Sequence, residues 1–311
     1  MIFHLGYPKC ASTKLQLEFA NSDCIYLGCN PKNEIGNFYH KNIGTFFDSI
    51  FRFGTDKQFK KNYVSISDFL NQLNQIQQNK LVLSFESAIK RIVPFDLPTD
   101  IKVQRLRKVL PKGTTFLILH RPIKEHLFSQ YRDFINCGYA YSFNDFISEM
   151  NLIWDYGFVS DLCFNNIFKL ITHAFPDSKI LLADIKKTDF LSKIFKFLNL
   201  NNDISNKKVN EGILLNSYKN HLEFNQSQLN QKSFLDMIEV HRVFPHGKID
   251  DNFKFKYARM RNIHKNLHLD KNKFKNSSFT NIKWPDYINR LDKDNKNFLS
   301  NKKTLNNLFL I

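Results

Sequence analysis

Residues 6–15 read Gly6-Tyr7-Pro8-Lys9-Cys10-Ala11-Ser12-Thr13-Lys14-Leu15. They follow the apolar run Ile2-Phe3-His4-Leu5 and lead into a segment with Leu15, Leu17, Phe19 and Ala20 as its apolar residues. Strand, tight loop, helix is the order that turns backbone N–H groups and the positive end of a helix dipole toward a phosphate. The lysine position then separates one kind of phosphate loop from another. A Walker A loop runs G-x-x-x-x-G-K-[ST]. Counted from Gly6, its second glycine falls on Ala11 and its lysine on Ser12, whereas the lysine here stands at Lys9. An ordinary ATP or GTP loop is therefore disfavoured. The same residues also read as a plain turn that opens a helix with Ser12 as N-cap.

A second segment lies further along. Thr115–Leu119 is β-branched or apolar throughout, as in a strand buried on both faces of a parallel sheet. Pro122 suits the first turn of a following helix, where its missing N–H is no loss. Leu127, Tyr131, Phe134 and Ile135 give that helix a buried face. Arg121 stands at the strand's C-terminal edge, where open α/β sheets bind ligands. Ser129 comes eight residues later, a little over two helical turns, so the two side chains can face one side. Taken singly, these are an arginine closing a strand and a serine on a helix surface.

Around these segments the pattern alternates. Strands are expected at Ile2–Leu5, Cys24–Leu27, Lys80–Phe85, Thr115–Leu119 and Lys179–Ala183. Helices are expected at Ser12–Asn21, Ser67–Gln78, Ile101–Leu110, from Pro122 onward, Phe143–Met150, Asp161–Ala174 and Asp189–Leu198. The stretch from Asn30 to Asn62 reads as an irregular, aromatic-rich insertion. Strands alternating with helices imply an α/β fold with a central parallel sheet and helices on both faces, a three-layer sandwich of the P-loop type. Residues 1–205 read as its core. Residues 206–311 read as a basic helical C-terminal part completing the same domain, since no Pro/Gly/Ser-rich linker divides the chain.

A chain of 311 residues at 42% hydrophobic composition can bury a full core. The five cysteines form no C-x-x-C pair or zinc-site spacing, which points to reduced thiols in a cytoplasmic protein. No apolar run reaches transmembrane length, and a chain opening on a strand leaves no room for a signal peptide. The net charge of +16 suits anionic ligands, and nucleic acid or anionic lipid is attracted by the same excess. In Phe253–Lys275 bases alternate with aromatics, which reads as a solvated helix face with core aromatics rather than a nucleic-acid surface.

The order Pro8-Lys9-Cys10-Ala11-Ser12-Thr13-Lys14-Leu15 resembles the 5′-phosphosulfate loop of sulfotransferases that use 3′-phosphoadenylyl sulfate (PAPS). Arg121-Pro122 with Ser129 resembles their 3′-phosphate segment, and Phe197-Leu198-Asn199-Leu200 a later helix end. The resemblance covers about the first two-thirds of the chain. It implies that Lys9 reaches the oxygen bridging phosphate and sulfate. It gives Cys10, Ala11, Ser12 and Thr13 the 5′-phosphate, and Arg121 and Ser129 the 3′-phosphate. Ala11 stands where the family has glycine, a strain if the backbone there needs positive φ. Leu81-Val82-Leu83-Ser84-Phe85-Glu86-Ser87 resembles the strand-Ser-x-Glu element of carbohydrate-type members, with Glu86 as the base. Cytosolic small-molecule members use a histidine, and none lies between Lys80 and Asp100. Glu86 also reads as a helix-entry charge or a partner of Lys90. His120, His126 and Asp184 are rival bases. The implied function is sulfuryl transfer from PAPS to a hydroxyl, with a carbohydrate acceptor and no metal. A kinase with a rearranged loop and a non-catalytic binder of anionic polymer remain as alternatives.

Overall fold

Six strands pair in the order β2-β3-β1-β4-β5-β6, and every neighbouring pair is parallel. They are β1 Ile2–His4, β2 Ile25–Gly28, β3 Leu81–Ser84, β4 Thr115–His120, β5 Ile180–Asp184 and β6 Leu308–Leu310. The computed structural model describes residues 1–7, 10–28, 41–47, 54–76, 80–88, 97–136, 142–152, 160–201, 284–301 and 307–311. Parallel neighbours cannot be joined by a tight hairpin, so crossover helices must cover the sheet. Those described are α1 Ser12–Ala20, α2 Lys41–Phe46, α3 Asp56–Ile76, α4 Thr99–Val109, α5 Ile123–Asn136, α6 Phe143–Leu152, α7 Phe164–Ala174, α8 Phe190–Leu198 and α9 Asp286–Ser300. The α/β class with helices on both faces is the one the alternating pattern implies.

The two faces can be read from β1, because successive side chains of a strand point to opposite sides. Phe3 meets Phe47, just past α2, and Phe116 of β4, with ring centroids 6.0 and 6.2 Å away. Phe116 in turn meets Phe175 at the end of α7, at 4.8 Å. His4 faces the other way, toward α1, where Phe19 packs on Phe195 of α8 at 5.3 Å. Both faces are thus sealed, which is why β3 and β4 carry near-continuous apolar runs.

Three elements differ from the sequence expectation. Helix α3 begins at Asp56 rather than Ser67, because Thr55 and Gln58 form a capping box. The Gln58 N–H donates to Thr55 Oγ1 at 3.3 Å and the Thr55 N–H to Gln58 Oε1 at 2.8 Å. Helix α2 lies within the stretch read as irregular. Leu308-Phe309-Leu310, where no strand was expected, adds β6 beside β5. Nearby, Asn295 of α9 accepts the Phe164 N–H at 3.0 Å and donates to the Leu162 carbonyl at 2.9 Å, tying α9 to the start of α7. The basic stretch Phe253–Lys275 and most of Asn30–Asn62 lie outside the described residues.

Candidate active site

The register brings three strand ends to one edge. His4 pairs with Ser84 of β3 and with Leu117 of β4. The Phe85 N–H continues the ladder to the His4 carbonyl at 3.1 Å, and the Leu5 N–H to Leu117 at 2.8 Å. The loop after β1, Glu86 after β3 and Arg121 after β4 therefore leave the sheet at its C-terminal edge, where open parallel sheets bind their ligands.

In the loop, Ala11 rather than Ser12 takes the N-cap position of α1. It adopts φ 58° and ψ 19° and caps with no side-chain hydrogen bond. This is the left-handed conformation in which a Cβ is strained. Ser12 is only 3% exposed, yet its hydroxyl has no partner among the described residues. The first N–H groups of α1 have no carbonyl inside the helix to receive them. Gly6 allows a close approach, since a Cβ there would stand 2.5 Å from Ser12 Oγ and 2.9 Å from His4 Nε2. Thr13 is half-buried. Lys9 lies outside the described residues.

Cys10 is fully buried and its Sγ lies 3.6 Å from His126 Nδ1 of α5. The Tyr7 ring stands edge-on to His126, and its hydroxyl donates to the Asp161 carbonyl at 3.1 Å. Burial raises the Tyr7 hydroxyl well above its ordinary pKa, so it serves as a donor. These contacts turn the His126 face of α5 toward the loop. Ser129, three residues on and half-buried, belongs to that face. Arg121 precedes the helix by two residues. It is half-buried, with Nε enclosed and unpartnered among the described residues. Leu127 and Tyr131 are buried as expected; the side chains of Phe134 and Ile135 lie outside the described residues.

Glu86 opens a 3-10 turn, Glu86–Ala88, and is half-buried. Its Oε1 accepts from Gln16 Nε2 at 3.4 Å, and the same amide nitrogen donates to Ser84 Oγ at 3.1 Å. Ser84 Oγ lies 2.8 Å from His4 Nδ1. The proton positions follow from chemistry. A carboxylate only accepts, so the amide must present its NH₂. Ser84, accepting from Gln16, keeps a proton and a second lone pair, so it matches either neutral tautomer of His4 at Nδ1. Burial pushes His4 down to about 3, so the ring is neutral, and its Nε2 points toward the Gly6 backbone. That nitrogen is enclosed without a partner among the described residues.

Sequence reasoning passed over His4, Ser84 and Gln16. The available signal was two polar residues at the ends of otherwise apolar strands, Ile2-Phe3-His4 and Leu81-Val82-Leu83-Ser84.

The rival bases sit differently. His120, at the end of β4, packs its ring edge-on against Phe164 of α7, on the face opposite α1. Burial pushes it down to about 4 against the pull of Asp184. Asp184 holds its own turn, with Oδ1 accepting the Lys186 N–H at 3.0 Å. His126 is engaged with Cys10.

No family model matches this sequence, and no curated protein matches it. Among solved structures the chain is similar to the crystal structure of a sulfotransferase from Alicyclobacillus acidocaldarius. Identity is 14% and the TM-score 0.42, over 81% of this chain and 98% of that one. No described helix is long and apolar enough to cross a membrane.

Proposed function

We propose that this chain is a sulfotransferase that moves the sulfuryl group of PAPS to an acceptor hydroxyl, with a carbohydrate as acceptor. One observation carries the reading: at one edge of the sheet Ser12 Oγ and Arg121 Nε, with His4 Nε2 beside the serine, are enclosed without protein partners among the described residues. Buried polar groups are paired in nearly all proteins, and a bound anion at this edge would pair these. Ser12 stands at a helix N-terminus and Arg121 is a guanidinium, and both chemistries select phosphate oxygens. A donor with a 5′-phosphosulfate and a separate 3′-phosphate fits such a pair.

In this reading Cys10, Ala11, Ser12 and Thr13 wrap the 5′-phosphate, and Arg121 with Ser129 holds the 3′-phosphate. The acceptor oxygen bonds to sulfur as the bond from sulfur to the bridging phosphate oxygen breaks. Lys9 neutralises the charge that gathers on that leaving oxygen. Glu86 takes the acceptor's proton, and adenosine 3′,5′-bisphosphate departs.

The test is thermal stabilisation by adenosine 3′,5′-bisphosphate compared with AMP. The bisphosphate should shift the midpoint much further, and Arg121→Ala should erase most of that difference. Loss of a charged partner to a buried phosphate is worth about 2–5 kcal/mol. Equal shifts by the two nucleotides in the unaltered protein would refute the assignment.

A further inference from the structure

We infer that Gln16 is a positioning residue, aiming the Glu86 carboxylate from the helix that carries the phosphate loop. The inference rests on the reading of Glu86 as base and adds the device that holds it. Gln16 is 4% exposed, and the two residues behind it, Ser84 and His4, are fully buried. Water therefore has little access to the amide or to Ser84 behind it. The direction at the amide is fixed by Glu86: a carboxylate only accepts, so Gln16 Nε2 donates one proton to Glu86 Oε1 and the other to Ser84 Oγ, which is in turn bonded to His4 Nδ1. A flipped amide would set its oxygen against the carboxylate.

The placement couples two parts of the site. Gln16 lies four residues after Ser12, one turn deeper on the same side of α1. A phosphate seated at the start of α1 thus shares a rigid helix with the amide that orients the base. Glu86 itself sits on a short 3-10 turn rather than inside a strand or long helix, so its rotamer depends on such contacts. Misplacing a reacting group by about 1 Å can cost on the order of 100-fold in rate.

The experiment measures release of adenosine 3′,5′-bisphosphate from PAPS with water as acceptor, on the full chain. It compares Gln16→Met, Glu86→Gln and the double variant. Gln16→Met should lower kcat about 10–100-fold while KM for PAPS stays within about twofold. In the Glu86→Gln background it should cause no further loss, because no base remains to be aimed. Gln16→Glu keeps the side chain's shape and sets one carboxylate against another. It should lose at least as much, and it serves if the methionine variant does not fold. Full activity of Glu86→Gln, or no release by the unaltered protein, would overturn the base reading and this inference with it. A Glu86→Gln loss with an unaffected or merely additive Gln16→Met would overturn this inference alone. A change confined to KM would make Gln16 a donor-binding residue and also overturn it.

Discussion

Ala11 holds a left-handed backbone at the junction of loop and helix α1, and its Cβ is the only reason that conformation is strained. Ala11→Gly should therefore stabilise the fold by about 0.5–1 kcal/mol, the strain released less the entropy glycine adds to the unfolded chain. Urea unfolding measures it, and a destabilised variant would contradict the account. Glu86→Gln preserves size and removes basicity, so turnover should fall about 10²–10⁴-fold with bisphosphate binding unchanged. His4 and His120 make a third prediction. Burial holds them at about 3 and about 4, below the roughly 6.5 of an unfolded chain. Between those values the unfolded chain binds more protons than the folded one. Stability is thus fully present above pH 6.5 and declines as pH falls, each histidine contributing about 1.4 kcal/mol per pH unit. His4→Asn keeps a hydrogen-bonding group toward Ser84 and should flatten the decline between pH 6 and 5 by that amount. An unaltered slope would mean that His4 titrates as freely in the fold as out of it.

Helix ends decide what the elements do. Helix α3 owes its early start to the reciprocal bonds of Thr55 and Gln58. Arg105 of α4 anchors the same corner by donating to the Gly54 carbonyl at 2.9 Å and to Asp56 Oδ1 at 2.8 Å. Thr55→Ala removes the cap and should cost about 1 kcal/mol in denaturant unfolding. No loss would show the helix start to be held by Arg105 instead. Helix α8 ends with Asn199 at φ 52°, and the Leu200 N–H reaches the Phe195 carbonyl at 3.0 Å, a Schellman closure. That closure gives physical content to the run Phe197-Leu198-Asn199-Leu200, which sequence reading could quote only as a likeness. Helix α1 has no such cap at its start, and its orphan donors are the feature the proposed donor uses.

At the scale of the whole molecule, the C-terminal residues complete what the earlier ones begin. β6 extends the sheet beside β5, and Asn295 of α9 satisfies a donor and an acceptor at the entrance to α7. Asn295→Ala would leave the Phe164 N–H and the Leu162 carbonyl enclosed without partners, at about 1–3 kcal/mol each. A loss of that size in thermal or denaturant unfolding is expected, and a neutral substitution would mean that α9 is not held by this residue. The same entrance carries Asp161, which accepts from Tyr7 through its carbonyl and from Thr99 at 2.8 Å through its carboxylate. Disturbance at α9 should therefore reach the loop that follows β1.

The sequence by itself determined the strands and helices whose apolar periodicity is strong. It also determined the class of fold and the residues that stand at strand ends, because those features depend on local pattern and on which side chains avoid water. Arg121, Ser129 and Glu86 were singled out from the sequence, and they stand just past β4, in α5 and just past β3. What only the tertiary structure decided is which side chains at those ends meet. The pairing of His4 with Ser84 spans 80 residues, and that of Gln16 with Glu86 spans 70. No periodicity encodes such a contact; the parallel register of β1 against β3 creates it. The same holds for β6. Leu308-Phe309-Leu310 is too short to declare itself, and it becomes a strand because β5 offers an unpaired edge whose N–H and carbonyl groups need partners.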